Sequence, residues 1–195
     1  MKENSELRAM SIEALKDRWG LAIGGFLIYN IILILLQNIP IAGSLACLII
    51  GGPFLLGATF FSLNLARKQD TRVEVLFEGF KDFGRALGTY LLMILYIILW
   101  TLLLVIPGII KAISYSQTFY ILAEDKSIGA EEALKKSLTM MDGYKMKYFV
   151  LGLSFIGWIL LSILTLGIGF LWLIPYMQVT FANFHIELKE NYNRD

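Results

Sequence analysis

Long apolar runs alternate along this chain with shorter segments in which charged and apolar positions interleave at helical spacing. In residues 1–19, Ile12, Leu15 and Trp19 share one helical face, while Glu13, Lys16 and Asp17 lie elsewhere. In residues 66–87, Leu76, Phe80, Phe83 and Leu87 form a stripe, and Thr71 with Glu74 predicts a capping box. In residues 124–147, Leu134, Leu138 and Met141 take one side of a helix. Glu131 with Lys135 and Glu132 with Lys136 pair at i,i+4 on the other side, and Gly143 predicts the stop.

The apolar runs between these segments are longer than a soluble core needs. They predict spans at about 20–36, 41–65, 88–106, 109–123, 148–164 and 170–186. Gln37-Asn38-Ile39-Pro40 closes the first, Gly51-Gly52-Pro53 should kink the second, and Pro107-Gly108 is the expected hairpin break between the third and fourth. The expected fold is all-α: a polytopic membrane helical bundle, one integral membrane domain over 1–195, with six spans as three tandem hairpins. Glu13-Ala14-Leu15-Lys16-Asp17 is matched by Glu78-Gly79-Phe80-Lys81-Asp82 and by Glu132-Ala133-Leu134-Lys135-Lys136. Thr59-Phe60, Thr118-Phe119 and Thr180-Phe181 recur near the other end of each unit, giving repeat-like units of about 1–68, 69–125 and 126–190.

Composition agrees with this reading: 57% of residues are hydrophobic and 17% charged, where globular domains sit near half and a quarter. The net charge of +1 points to no nucleic-acid partner; the position of the charges carries the information. Of the basic residues only Lys111 falls in a span, and all 16 acidic residues lie in the termini and the two long loops. The positive-inside bias then places both termini and both long loops in the cytoplasm. The first apolar run is longer than a signal-peptide core and is read as a retained span.

Candidate chemistry is sparse. Lys111 is a charge within a span, a candidate contact for a lipid phosphate or an acidic ligand, or else a side chain that snorkels to the nearby surface. Ser114, Gln117 and Thr118 share one face of the fourth span. Lipid cannot satisfy them, so they face inward, to line a solute path or to hydrogen-bond with Asn30, Ser62, Asn64, Gln178 or Asn183. Gly20 with Gly24, and Gly43, Cys47 and Gly51, mark expected close helix approaches. Cys47 is the only cysteine and His185 the only histidine, so no disulfide framework, thiolate cage or multi-histidine metal site is available, and neither metal nor cofactor is expected. Ser154 with His185 distantly resembles an intramembrane serine protease pair, with no evident oxyanion hole, and no catalytic residue is assigned.

The chain resembles the bacterial domain-of-unknown-function family 975, small integral membrane proteins without assigned biochemistry. The resemblance rests on Ile106-Pro107-Gly108-Ile109-Ile110-Lys111, Ser114-Tyr115-Ser116, Tyr120-Ile121-Leu122-Ala123-Glu124-Asp125, Met141-Asp142-Gly143 and Thr165-Leu166-Gly167-Ile168-Gly169. More loosely, the hairpin pattern is similar to the membrane domain of some glycerophosphodiester phosphodiesterases. The resemblance implies a multi-pass protein of the bacterial cytoplasmic membrane and supplies no catalytic residues. The expected function is a non-enzymatic scaffold or accessory protein whose cytoplasmic amphipathic helices bind lipid, another membrane protein or a second copy of the chain. The alternative is a carrier or pore for a small solute or lipid that uses the polar face of the fourth span.

Overall fold

A computed structural model describes residues 1–39 and 42–194, all of it helix, turn and connecting segment with no strand among the described residues. In chain order the helices are α1 (Asn4–Leu15), α2 (Trp19–Gln37), α3 (Ala42–Ala66), a 3-10 helix (Val73–Asp82), α4 (Phe83–Leu103) and α5 (Val105–Ser114). They continue with α6 (Thr118–Glu124), α7 (Ala130–Met140), α8 (Lys145–Leu153), α9 (Ile156–Leu164) and α10 (Phe170–Tyr192). Four continuous helical stretches are long and apolar enough to cross a membrane: Trp19–Gln37, Gly43–Ala66, Val73–Leu103 and Lys145–Leu164. Pro40 and Ile41, where the sequence closes the first hairpin, lie outside the described residues.

The bundle has two unlike ends. At the charged end, Leu7, Leu122, Ile128, Ala133, Met140, Met141, Phe184 and Leu188 pack into one core, and α10 is buried on most of its faces from Val179 to Leu188. At the opposite end the side chains point outward and are apolar. Leu102 is 78% exposed, Ile106 71%, Leu164 79% and Leu166 94%. Apolar exposure on this scale is what a hydrocarbon solvent requires and water penalises.

Helix α3 is the hub, packed against α1, α2, the 3-10 helix, α4, α6 and α10. Its closest neighbour is the 3-10 helix, and glycine makes the approach possible. A Cβ on Gly57 would overlap the Leu76 carbonyl, and one on Gly79 would lie 2.8 Å from the Gly57 nitrogen. The threefold period keeps Leu76 and Gly79, both buried, on the line that meets α3. This replaces the expected α-helical stripe and capping box. Arg72, not Thr71, precedes the helix, and the Thr71 hydroxyl accepts a hydrogen bond from Asn64 at 3.4 Å.

The small-residue stripes divide in the same way. Gly20 and Gly24 face open space, so that motif makes no close approach here; the neighbouring Gly25 meets the Phe61 ring instead. Gly43 and Gly51 do lie in close contact, with the Leu36 carbonyl and the Tyr90 ring. Gly143 adopts φ +77° just after α7, as a helix stop should.

The hairpin between α4 and α5 turns at Leu104, whose backbone is extended (φ −160°, ψ 140°). Pro107 and Gly108 follow inside the first turn of α5, where a missing N–H costs no helical bond. Gly108 there lies against Thr101 of α4.

Gly57→Ala is expected to lower stability by about 1–3 kcal/mol or more through overpacking against Leu76. Gly24→Ala should leave it unchanged or raise it slightly. Thermal unfolding of the two variants in detergent compares them directly.

Candidate functional site

The polar face expected in the fourth span is built around a break. Helix α5 ends at Ser114, α6 begins at Thr118, and the turn between them frees backbone groups that a continuous helix would pair. Ser137 of α7, fully buried, repairs it: its hydroxyl donates to the Ser114 carbonyl at 2.7 Å and accepts the Gln117 N–H at 3.2 Å. The Ser114 hydroxyl donates to Ile110 of its own helix at 2.7 Å, the usual way a hydroxyl is satisfied within an apolar bundle. The Thr118 hydroxyl is buried without a hydrogen-bond partner. Lys111 stands apart from this face, its ammonium 4.7 Å above the Trp100 ring in a cation–π contact.

Gln117 leads from the break to the charged end. Its amide nitrogen donates to Ser116 Oγ at 2.8 Å, and its amide oxygen lies 3.1 Å from Nδ1 of His185, which is fully buried in α10. The imidazole stacks on Tyr120 (centroids 4.9 Å apart, planes at 18°), and its Nε2 lies 3.3 Å from Glu124 Oε2. The side chain of Glu124 is 8% exposed, and two cations converge on it. Lys189 Nζ reaches Oε2 at 2.5 Å, and Arg67, just past α3, pairs with Oε1. Burial pushes the Glu124 carboxyl up, but hydrogen bonds from His185 and Lys189 and their charge more than offset it, so its pKa falls from 4.5 to about 2.

Beside this cluster lies a polar cavity of about 190 Å³, walled in part by Glu124, Lys136, His185, Lys189 and Tyr192. The expected interhelical partners of the fourth-span face do not meet it. Asn30 and Ser62 donate to carbonyls of their own helices, and Asn183 donates to Ser11 of α1 at 2.9 Å. Ser137 and His185 take that role instead. Ser154 and His185 are each bonded elsewhere: the Ser154 hydroxyl donates to the Leu151 carbonyl at 2.7 Å, and the two His185 ring nitrogens lie against Gln117 and Glu124. Among the described residues, no three His, Cys, Asp or Glu side chains gather as a metal site requires.

The cluster of Glu124, Arg67, His185 and Lys189 is legible only indirectly in the sequence. The recurring Thr-Phe pairs set Arg67, Glu124 and Lys189 at similar distances beyond three matching positions, hence at one end of the bundle. Nothing local says that one carboxylate collects both cations.

The family model described as a protein of unknown function, DUF975, matches the chain over residues 1–114 and 94–192. No curated protein and no solved structure gives a match, and nothing in the comparisons supports the looser likeness to glycerophosphodiester phosphodiesterases.

Two outcomes are expected. Ser137→Ala leaves a buried N–H and a buried C=O unpaired and should cost about 1–3 kcal/mol in a denaturation experiment. Because the folded-state pKa of Glu124 is depressed, its contribution to stability is complete above pH 4.5 and disappears as the pH falls through about 2. Acid unfolding followed by circular dichroism should therefore lose part of its slope in this window in Glu124→Gln.

Proposed function

The chain belongs to the DUF975 family, and on that premise we propose that it is a non-enzymatic scaffold or accessory protein of the membrane. Its charged end is the working face, binding lipid, a membrane-protein partner or a second copy of the chain. The spans number six, as three tandem hairpins, with α5–α6 and the apolar part of α10 joining the four long apolar stretches. Both termini and both charged loops sit in the cytoplasm of a bacterium.

One observation carries this reading: apart from the Thr118 hydroxyl, which is buried without a partner, the polar groups of the fourth span are engaged in internal contacts. Ser114 bonds within its own helix, Gln117 is held by Ser137, Ser116 and His185, and Lys111 is turned onto Trp100. A solute path along this face would need those groups free to replace a solute's hydration, as transport sites do. The basic residues gather at the same end as the amphipathic helices, the arrangement that favours an anionic membrane surface. The carrier alternative keeps the polar cavity beside Glu124 and His185 as an entry.

Purified from native membranes in mild detergent, the chain should retain bound phospholipid or a stoichiometric protein. If the parent chain instead carries a solute flux in vesicles that Gln117→Ala and Lys111→Leu abolish, the scaffold reading fails. Topology is checked in a Cys47→Ser background: a membrane-impermeant maleimide added to intact cells should label Leu166→Cys and spare Lys126→Cys.

A further inference from the structure

Outside the polar cluster, an unexplained apolar groove of about 410 Å³ lies between the α1–α2 corner and α9–α10. It falls within the size of ligand pockets, roughly 300–1,000 Å³. Three of the chain's four tryptophans line it: Trp19 where α1 gives way to α2, Trp158 on α9 and Trp172 on α10. Leu161 and Leu173 supply aliphatic wall. The few hydroxyls on the wall are turned to their own backbone. Ser162 donates to the Trp158 carbonyl at 2.8 Å; Thr165 donates to the Ser162 carbonyl at 2.9 Å and accepts the Gly169 N–H at 3.0 Å. The groove wall is therefore mainly apolar, with the Tyr176 hydroxyl and the indole N–H groups as its other polar atoms, a surface for a hydrocarbon chain and a poor one for a strongly polar solute.

One end of the groove is electrically incomplete. Arg8 precedes Ile12, a wall residue, by four positions, so the two side chains share a face of α1. Helix α1 itself packs on α10, which carries the wall residues Trp172, Leu173 and Tyr176. Yet the Arg8 Nε is buried with no hydrogen-bond partner, and no carboxylate among the described residues pairs with the guanidinium. The neighbouring acids are engaged elsewhere. Glu6 accepts the Glu3 N–H at 2.8 Å, Glu13 pairs with Lys68 at 3.4 Å and Glu187 pairs with Lys2 at 2.8 Å. A guanidinium on an apolar groove wants an anion of its own, and phosphate geometry suits its fork.

We infer that this groove is a binding site for one anionic phospholipid, with an acyl chain lying along Trp19, Trp158 and Trp172 and the headgroup phosphate on Arg8. The lipid enters from the charged end, where α1 sits at the membrane surface, and its chain runs toward the turn at Thr165–Gly169. This inference rests on the reading of α1 as an interfacial, lipid-binding helix and names the ligand that helix holds.

Trp100→Phe leaves only groove tryptophans, so their fluorescence reports the occupant. In phosphatidylcholine vesicles of this variant, a small mole fraction of phosphatidylglycerol brominated on its acyl chain should quench more than the same fraction of brominated phosphatidylcholine. The expected preference is about fivefold, the contribution of one basic side chain at a membrane surface. Arg8→Gln should bring it to unity with an unchanged melting temperature, because Arg8 has no protein partner to lose. Lys81→Gln, a distant and exposed lysine, should retain the preference. Equal quenching by the two lipids overturns the site, as does a preference that survives Arg8→Gln or is lost equally in Lys81→Gln. Any of these results leaves the scaffold reading standing, since that falls only to solute flux.

Discussion

A helix that breaks inside a bundle must have its freed N–H and C=O groups bound by something other than water, and this requirement governs the way the chain assembles. The break between α5 and α6 is tolerable because Ser137 arrives from α7 with one hydroxyl that serves a donor and an acceptor at once. Helix α6, of 7 residues, is too short to persist alone. Arg85 closes its far end, donating to the Leu122 and Asp125 carbonyls at 3.2 and 2.7 Å and to Ile128 beyond them. The docking of α4 and α7 is thus dictated by the hydrogen-bond needs of a short segment that neither could make helical by propensity.

Glu124 adds the electrostatic part of the same arrangement. It sits at the last residue of α6 and draws in Arg67 from the end of α3 and both His185 and Lys189 from α10. A carboxylate this buried would be unstable without partners, and removing any of them would leave charge stranded in a poor solvent. The cluster therefore locks three elements at the charged end. Among the described residues, the opposite end carries no comparable network of charged side chains and exposes leucine, isoleucine and tryptophan freely.

That contrast links structure to function. A charged end tied together by Glu124 and its partners suits the platform proposed above, and an apolar end with exposed side chains suits immersion in hydrocarbon. Between them, the α1–α2 corner and α9–α10 enclose a tryptophan-lined groove, and the unpaired guanidinium of Arg8 lies one turn of α1 before the wall residue Ile12. The Ser162 and Thr165 hydroxyls on its wall are satisfied internally, so lipid is the solvent that best fills it.

The sequence by itself determined the medium and the class of fold. The apolar runs expected near 20–36, 41–65, 88–106 and 148–164 overlap the four membrane-length stretches, because span length is set by bilayer thickness and is read locally. Gln117 was legible as buried for the same reason, since its polarity has no place against lipid. What only tertiary structure decided was the identity of the partners. Periodicity says that a face is covered but not by what, so Ser137, His185 and the two cations on Glu124 could not be read from it. The turn at Leu104 in place of Pro107-Gly108, the empty face of Gly20 and Gly24, and the 3-10 form of Val73–Asp82 have a common cause. Each depends on how near another backbone approaches, as Thr101 does to Gly108 and α3 to Gly79, and that distance is a property of the packed bundle and of no stretch of sequence alone.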